Sequence, residues 1–167
     1  MKRKKFSAVL CSALMICTTS LVSCGDSDKE SNRYEIKNMI AGANSSAASL
    51  YDSINSVLTE LDEYGVETGS IKSIIYNKGD ATVTVLTGRV VDDTKIYSGI
   101  EKYFNEVNKL DFVASCDRGV CIAVACKEDS TYTGSKPNVV TVDNYKEYSD
   151  DLEKALADAV NKANVDR

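Results

Sequence analysis

Between Tyr34 and Tyr64 apolar side chains recur at steps of three and four: Ile36, Ile40, Ala43, Ala47, Leu50, Ile54, Val57, Leu61 and Tyr64. That spacing lines one face of an α-helix and is the clearest periodicity in the chain. Small residues (Ala41, Gly42, Ala43, Ala47, Ala48) narrow the first half of the face, so a second element can approach it closely. Gly42 inside a helix costs about 1 kcal/mol relative to Ala, which predicts weaker N-terminal turns. Gly65 supplies the left-handed residue that ends helices. The stripe reads as a core-facing helix rather than a coiled-coil seam.

The remaining segments predict the layer that this helix covers. Ala81–Thr87 alternates and is rich in β-branched residues, the pattern of a half-buried strand. Asn77-Lys78-Gly79-Asp80 ahead of it reads as a turn. Ser70–Tyr76 fits either a hairpin partner or a short helix. Asp92 or Asp93 caps a helix carrying Ile96, Ile100, Tyr103, Phe104 and Val107. The runs Asp111–Cys116 and Val120–Cys126, joined through Asp117-Arg118-Gly119, predict a hairpin. Glu128–Val140, with the only proline, reads as a long loop. Asn144–Asn164 reads as a last amphipathic helix, with Asn144 and Glu147 as its capping box. The predicted class is α+β: a long N-terminal helix packed on a small antiparallel sheet, with a further C-terminal helix.

The N-terminus carries an address. Met1 is followed by four cations (Lys2, Arg3, Lys4, Lys5), and an apolar stretch interrupted by Ser and Thr runs from Phe6 to Val22. It is too broken for a membrane span, which wants about 20 predominantly apolar residues, and it has the layout of a secretory signal. Leu21-Val22-Ser23-Cys24 resembles the bacterial lipobox. The Cys sulfur there is the nucleophile that takes diacylglycerol, and a small residue precedes it. The expected division is residues 1–23 as lipoprotein signal peptide, 24–33 as a polar tether and 34–167 as one globular domain. The expected location is the cell membrane, lipid-anchored through Cys24 and facing outside the cytoplasm.

Cleavage before Cys24 leaves 16 basic against 25 acidic side chains, a net charge of −9. Such a surface disfavours nucleic acid as a partner. The acyl chains, rather than a basic face, then hold the domain to the membrane.

The chemistry-bearing residues are few. The chain has no His, which removes imidazole as base, ligand or pH sensor. Cys116, Cys121 and Cys126 are spaced by five. On a regular strand Cys121 and Cys126 point to opposite faces roughly 17 Å apart, so they cannot share a metal. Cys116 and Cys121 form a candidate disulfide if the turn is the two residues Arg118-Gly119, which sets them directly across the hairpin. With a three-residue turn and a bulge, Cys116 faces Val120 instead. That register gathers Phe112, Ala114, Cys116, Val120, Ile122, Val124 and Cys126 on one face and leaves three reduced thiols.

The paired carboxylates Asp92-Asp93 and Asp150-Asp151 read as helix starts rather than as an acid–base set. No calcium loop, phosphate loop or nucleophile elbow is present. No cofactor or metal is expected, and no enzymatic activity. Nine Tyr stand against three Phe and no Trp; Tyr132 in the Gly/Pro loop and Tyr145 and Tyr148 beyond it suit protein contact. Tyr132, Gly134 and Pro137 mark a candidate contact loop.

The succession AASLYDSINSVLTELDEYG, then Ile100-Glu101-Lys102-Tyr103-Phe104, then DFVASCDRGVCIAVACKEDSTYTGSKPN resembles the globular head of type IV pilin-like proteins of clostridial and ruminococcal bacteria. The resemblance implies a helix packed on an antiparallel sheet and a role in contact with pilus or secretion proteins. Pilins begin with a hydrophobic assembly helix behind a Gly-ended leader, and this chain begins with a lipobox signal, so polymerisation by the pilin route is not expected. The long C-terminal helix is also outside that pattern. The functional expectation is a non-enzymatic surface lipoprotein mediating protein–protein contact. The alternative is a solute- or glycan-binding lipoprotein with tyrosines lining its pocket.

Overall fold

The computed structural model describes residues 27–79, 82–87, 93–128 and 132–166. Residues 1–23, Cys24 and Asp92 lie outside them.

Helix α1 spans Ser27–Glu63, about 55 Å at 1.5 Å per residue. It begins earlier than the apolar stripe: the stretch 24–33, expected as a polar tether, is helical from Ser27 onward, and its residues 30–33 are exposed. The stripe faces the core as predicted, with Ile40, Ala47, Leu50, Ile54 and Val57 buried, whereas Tyr64 is 84% exposed. Each large side chain buried this way contributes about 1.5–3 kcal/mol. Gly65, at φ 77°, closes the helix. Val66 N–H donates to the Leu61 carbonyl and Gly65 N–H to that of Asp62, both at 2.9 Å, the paired bonds of a Schellman stop.

Five strands follow: β1 (Ile71–Asn77), β2 (Thr82–Thr87), β3 (Asp111–Asp117), β4 (Val120–Lys127) and β5 (Thr133–Lys136). All pairings are antiparallel, in the order β2-β1-β3-β4-β5. Ser70–Tyr76 resolves as strand, the hairpin partner of β2. Helix α2 (Asp93–Tyr103) leads into β3 through a 3-10 turn at Val107–Lys109, and helix α3 (Leu152–Val165) closes the chain. The fold is α+β.

The sheet separates two apolar layers. On one face α1 and α2 cover Ile74, Tyr76, Phe112, Ala114, Cys116, Cys121, Val124 and Cys126. Gly99 of α2 lets the two helices meet, since a Cβ there lies 2.9 Å from a Val57 methyl. On the other face Ala155, Leu152 and Leu156 of α3 pack with Val113, Ala125, Val140 and Tyr148.

Two sequence expectations change. The predicted loop Glu128–Val140 contains β5, a strand that its polar TGSK composition does not announce; pairing with β4 and packing on α1 create it. The last helix starts at Leu152, not Asn144. Asn144 instead folds its own turn, accepting from Thr141 N–H at 2.7 Å and donating to the Val139 carbonyl at 3.0 Å. The cap is Asp151, whose carboxylate accepts from Lys154 N–H at 2.8 Å, so Asp150-Asp151 does mark a helix start.

Candidate functional site

The β3–β4 hairpin carries the cysteines. Arg118 (φ 51°) and Gly119 (φ 82°) make a two-residue turn with both central residues left-handed, the type I′ geometry that matches strand twist. Asp117 therefore pairs with Val120, and Cys116 lies directly across from Cys121. The register then shifts: Ser115 faces Ala123, so β4 carries an extra residue beyond Cys121. This bulge places Cys121 and Val124, three apart, on one face. Of the two turns drawn from the sequence, the two-residue one is realised, with Cys116 across from Cys121; the three-residue turn that set Cys116 against Val120 is not, and the bulge lies within β4 instead. The expectation that Cys121 and Cys126 point to opposite faces is overturned, because it assumed a regular strand.

All three cysteines are buried free thiols. Cys121 S–H donates to the Ala123 carbonyl at 3.6 Å, and Cys126 S–H points to that of Ala43 at 3.8 Å. The hydrogen bond with Cys116, then burial, pushes the Cys121 thiol up, and burial pushes Cys126 up to about 12. Raised thiols such as Cys121 and Cys126 are the opposite of an activated nucleophile. Among the described residues no three His, Cys, Asp or Glu side chains converge as a metal site.

The candidate contact loop is largely packed away. Gly134 lies so close to α1 that an added Cβ would overlap the Ala43 carbonyl. The small-residue half of the helix is what admits β5 to that distance. Tyr132 is half-buried, its ring 5.4 Å from that of Tyr145, and Pro137, after a cis peptide bond, is half-buried too. Tyr148 is buried with its hydroxyl donating to Asp158 at 3.0 Å; burial, then Asp158, raises its pKa.

Two asparagines that the sequence reading passed over organise this edge of the sheet. Asn55 Oδ1 accepts from Cys121 N–H at 2.9 Å and Asn55 Nδ2 donates to the Cys121 carbonyl at 3.4 Å. Asn44 Oδ1 accepts from Ser135 N–H at 2.9 Å and its Nδ2 donates to the Val140 carbonyl at 3.3 Å. The two lie eleven residues apart, about three helical turns, hence on one face. Each amide presents one acceptor and one donor, as a neighbouring strand would. Polar residues interrupting an apolar helical face were the available signal.

A grooved apolar surface lies elsewhere. On the α3 face a groove of about 440 Å³ runs between α3 and the β1–β2–β3 half of the sheet. Ile75, Val113, Leu86, Leu156 and Val160 form its apolar walls, with Ser73, Ser115, Glu153 and Asn161 among them. Leu86 is 52% exposed. It exists because α3 packs against β3, β4 and β5 and leaves β1 and β2 beside it.

This geometry defines an α+β sheet protein with one sealed edge and one grooved face. No protein-family model matches the chain, and no characterised protein or solved structure is detectably similar to it. Among the described residues no helix is long and apolar enough to cross a membrane.

Proposed function

We propose that the chain is a lipid-anchored, non-enzymatic lipoprotein facing outside the cytoplasm, whose α+β head makes protein–protein contacts at the cell surface, with pilus or secretion components as the partner class. The observation that carries this reading is Leu21-Val22-Ser23-Cys24 behind four cations and an interrupted apolar stretch. Residues 30–33 of helix α1 are exposed and lie close in sequence to the proposed lipid-bearing Cys24, which suits a stalk under the head. The groove beside α3 and the edge strand β2 supply an apolar contact surface with a polar rim, the anatomy of a protein interface. The burial of Cys116, Cys121 and Cys126 supports a role without nucleophilic catalysis.

Labelling cells with a radioactive fatty acid tests the anchor. The wild-type chain incorporates label and fractionates with membranes, and Cys24→Ala does neither. Equal labelling of both sinks the lipoprotein reading. Cross-linking in intact cells with recovery through the C-terminus tests the contact role. Recovery of the chain alone, lipidated and unpartnered, removes it.

A second reading, solute or glycan binding, is favoured by the size of the groove, which falls in the range of small-ligand sites, about 300–1,000 Å³. A small molecule that raises the thermal midpoint, and loses that effect in Leu86→Lys, establishes it.

A further inference from the structure

Cys116 and Cys121 meet on the helix-covered side of the hairpin, and their placement is set from three directions. The type I′ turn makes Asp117 and Val120 the flanking pair that exchanges both ladder bonds. The next pair, Cys116 and Cys121, is then a non-hydrogen-bonded one, whose Cα atoms approach to about 4.5 Å. That separation lies within the roughly 4.4–6.8 Å that disulfides span. Asn55 corroborates this from outside the hairpin: it binds both peptide groups of Cys121, which therefore point away from β3. Finally, both side chains lie in the same buried cluster under α1 and α2.

We propose that Cys116 and Cys121 form a cross-strand disulfide, closed while the hairpin is still accessible and then enclosed by α1. The step is a thiol–disulfide exchange. One cysteine thiolate attacks a sulfur of a small disulfide such as oxidised glutathione, or of an oxidised dithiol oxidoreductase, and expels one thiolate. The second cysteine thiolate attacks the mixed disulfide and expels the other. Two S–H groups are oxidised to one S–S bond, the oxidant is reduced to two thiols, and the two protons released are the ones those thiols take up.

The order of events follows from burial. Cys116 is 4% and Cys121 0% exposed in the folded chain, so oxidant reaches them only before α1 docks. Afterwards the same layer keeps reductant out. Cys126 sits across from Phe112 with its thiol against the Ala43 carbonyl, and it stays outside the bridge. The inference is independent of the lipid anchor and needs only an oxidising compartment.

The test uses the full-length chain, reduced and denatured, then refolded in a buffer of reduced and oxidised glutathione. Free thiols are trapped by alkylation and the chain is mapped by peptide mass. The expected product has Cys116 and Cys121 joined, unalkylated and lighter by two hydrogens, with Cys126 alkylated. Pairing measured against glutathione is also at least about tenfold more favourable in refolding buffer than in denaturant. Alkylation of both Cys116 and Cys121 overturns the proposal, as does either one bridged to another cysteine. Equal pairing in the two buffers overturns the claim that the fold directs it. A Cys126→Ser chain forms the same bridge, and loss of the bridge there counts against the pair.

Discussion

The two edges of the sheet are closed by different means. Beyond β4 and β5 lies helix α1, whose Asn44 and Asn55 offer amides to backbone groups that a further strand would otherwise have paired. Gly134 brings β5 against the helix backbone there. At the other side β2 pairs only with β1 among the described residues. Its described outward side chains, Thr84 and Leu86, are exposed, while Val85 packs inward. An edge strand without charge or Pro is a template for pairing. The contrast teaches that side-chain amides can take up backbone groups at one edge in place of a further strand, and that an edge without them is left as a template for pairing.

The largest effect should come from forcing the sealed edge apart. Gly134→Ala drives a Cβ into the Ala43 carbonyl, backbone against backbone, and should destabilise by about 3 kcal/mol, read as a lower urea midpoint. Wild-type stability in that variant would show that β5 does not rest on α1 as described.

Removing the amides is the next step down. Asn55→Ala strands the Cys121 N–H and carbonyl, a loss of about 2 kcal/mol, and Asn44→Ala strands Ser135 N–H for a similar cost. The sites share no partner, so the double variant should add within about 0.5 kcal/mol. Marked non-additivity would mean that the edge opens as one unit.

On the open side the expectation reverses. Thr84→Lys and Leu86→Lys should change stability by less than about 0.5 kcal/mol, since neither side chain is buried. Both should abolish partner recovery in the cross-linking experiment. A large stability loss from either would show that β2 is covered, not open.

The smallest effect is electrostatic and lies between α1 and α2. Lys102, then the Tyr103 hydroxyl, hold the Glu60 carboxyl below its ordinary value of 4.5. A carboxyl whose folded pKa is depressed stabilises fully above its unfolded value and loses that contribution as pH falls through the folded one. Glu60→Gln should therefore lower stability slightly at neutral pH, where the contribution is full, and its curve should converge on the wild-type one as pH falls below about 4.5. An unchanged acid limb in urea titrations would remove Glu60 from it.

The local elements were legible because their signals are local. The steps of three and four from Ile36 to Leu61 mark α1, Gly65 stops it, and the β-branched alternation of Thr82–Thr87 marks β2. The hairpin was legible as well, down to its two candidate turns. The two-residue turn was one of them and set Cys116 across from Cys121, whereas the bulge within β4 was not foreseen, because turn length and bulge are separate choices. The bulge at Ile122 lets Cys121 and Val124 share the helix-covered face while Asn55 takes up the freed peptide groups. β5 was hidden for a related reason: Thr133-Gly134-Ser135-Lys136 has no apolar alternation of its own.

By itself the sequence determined that a long amphipathic helix must find a sheet, since each has one apolar face that only the other covers. It also determined where that helix ends and marked β2 and the β3–β4 hairpin, while leaving Ser70–Tyr76 open between strand and helix. Tertiary structure alone decided the bulge within β4, the existence of β5 and the sealing of one edge by Asn44 and Asn55. Those outcomes depend on contacts between residues far apart in the chain, such as Ala43 with Gly134 and Asn55 with Cys121. No local pattern encodes them, because propensity acts over a few residues and these choices are made by close packing and by the need to pair every buried peptide group.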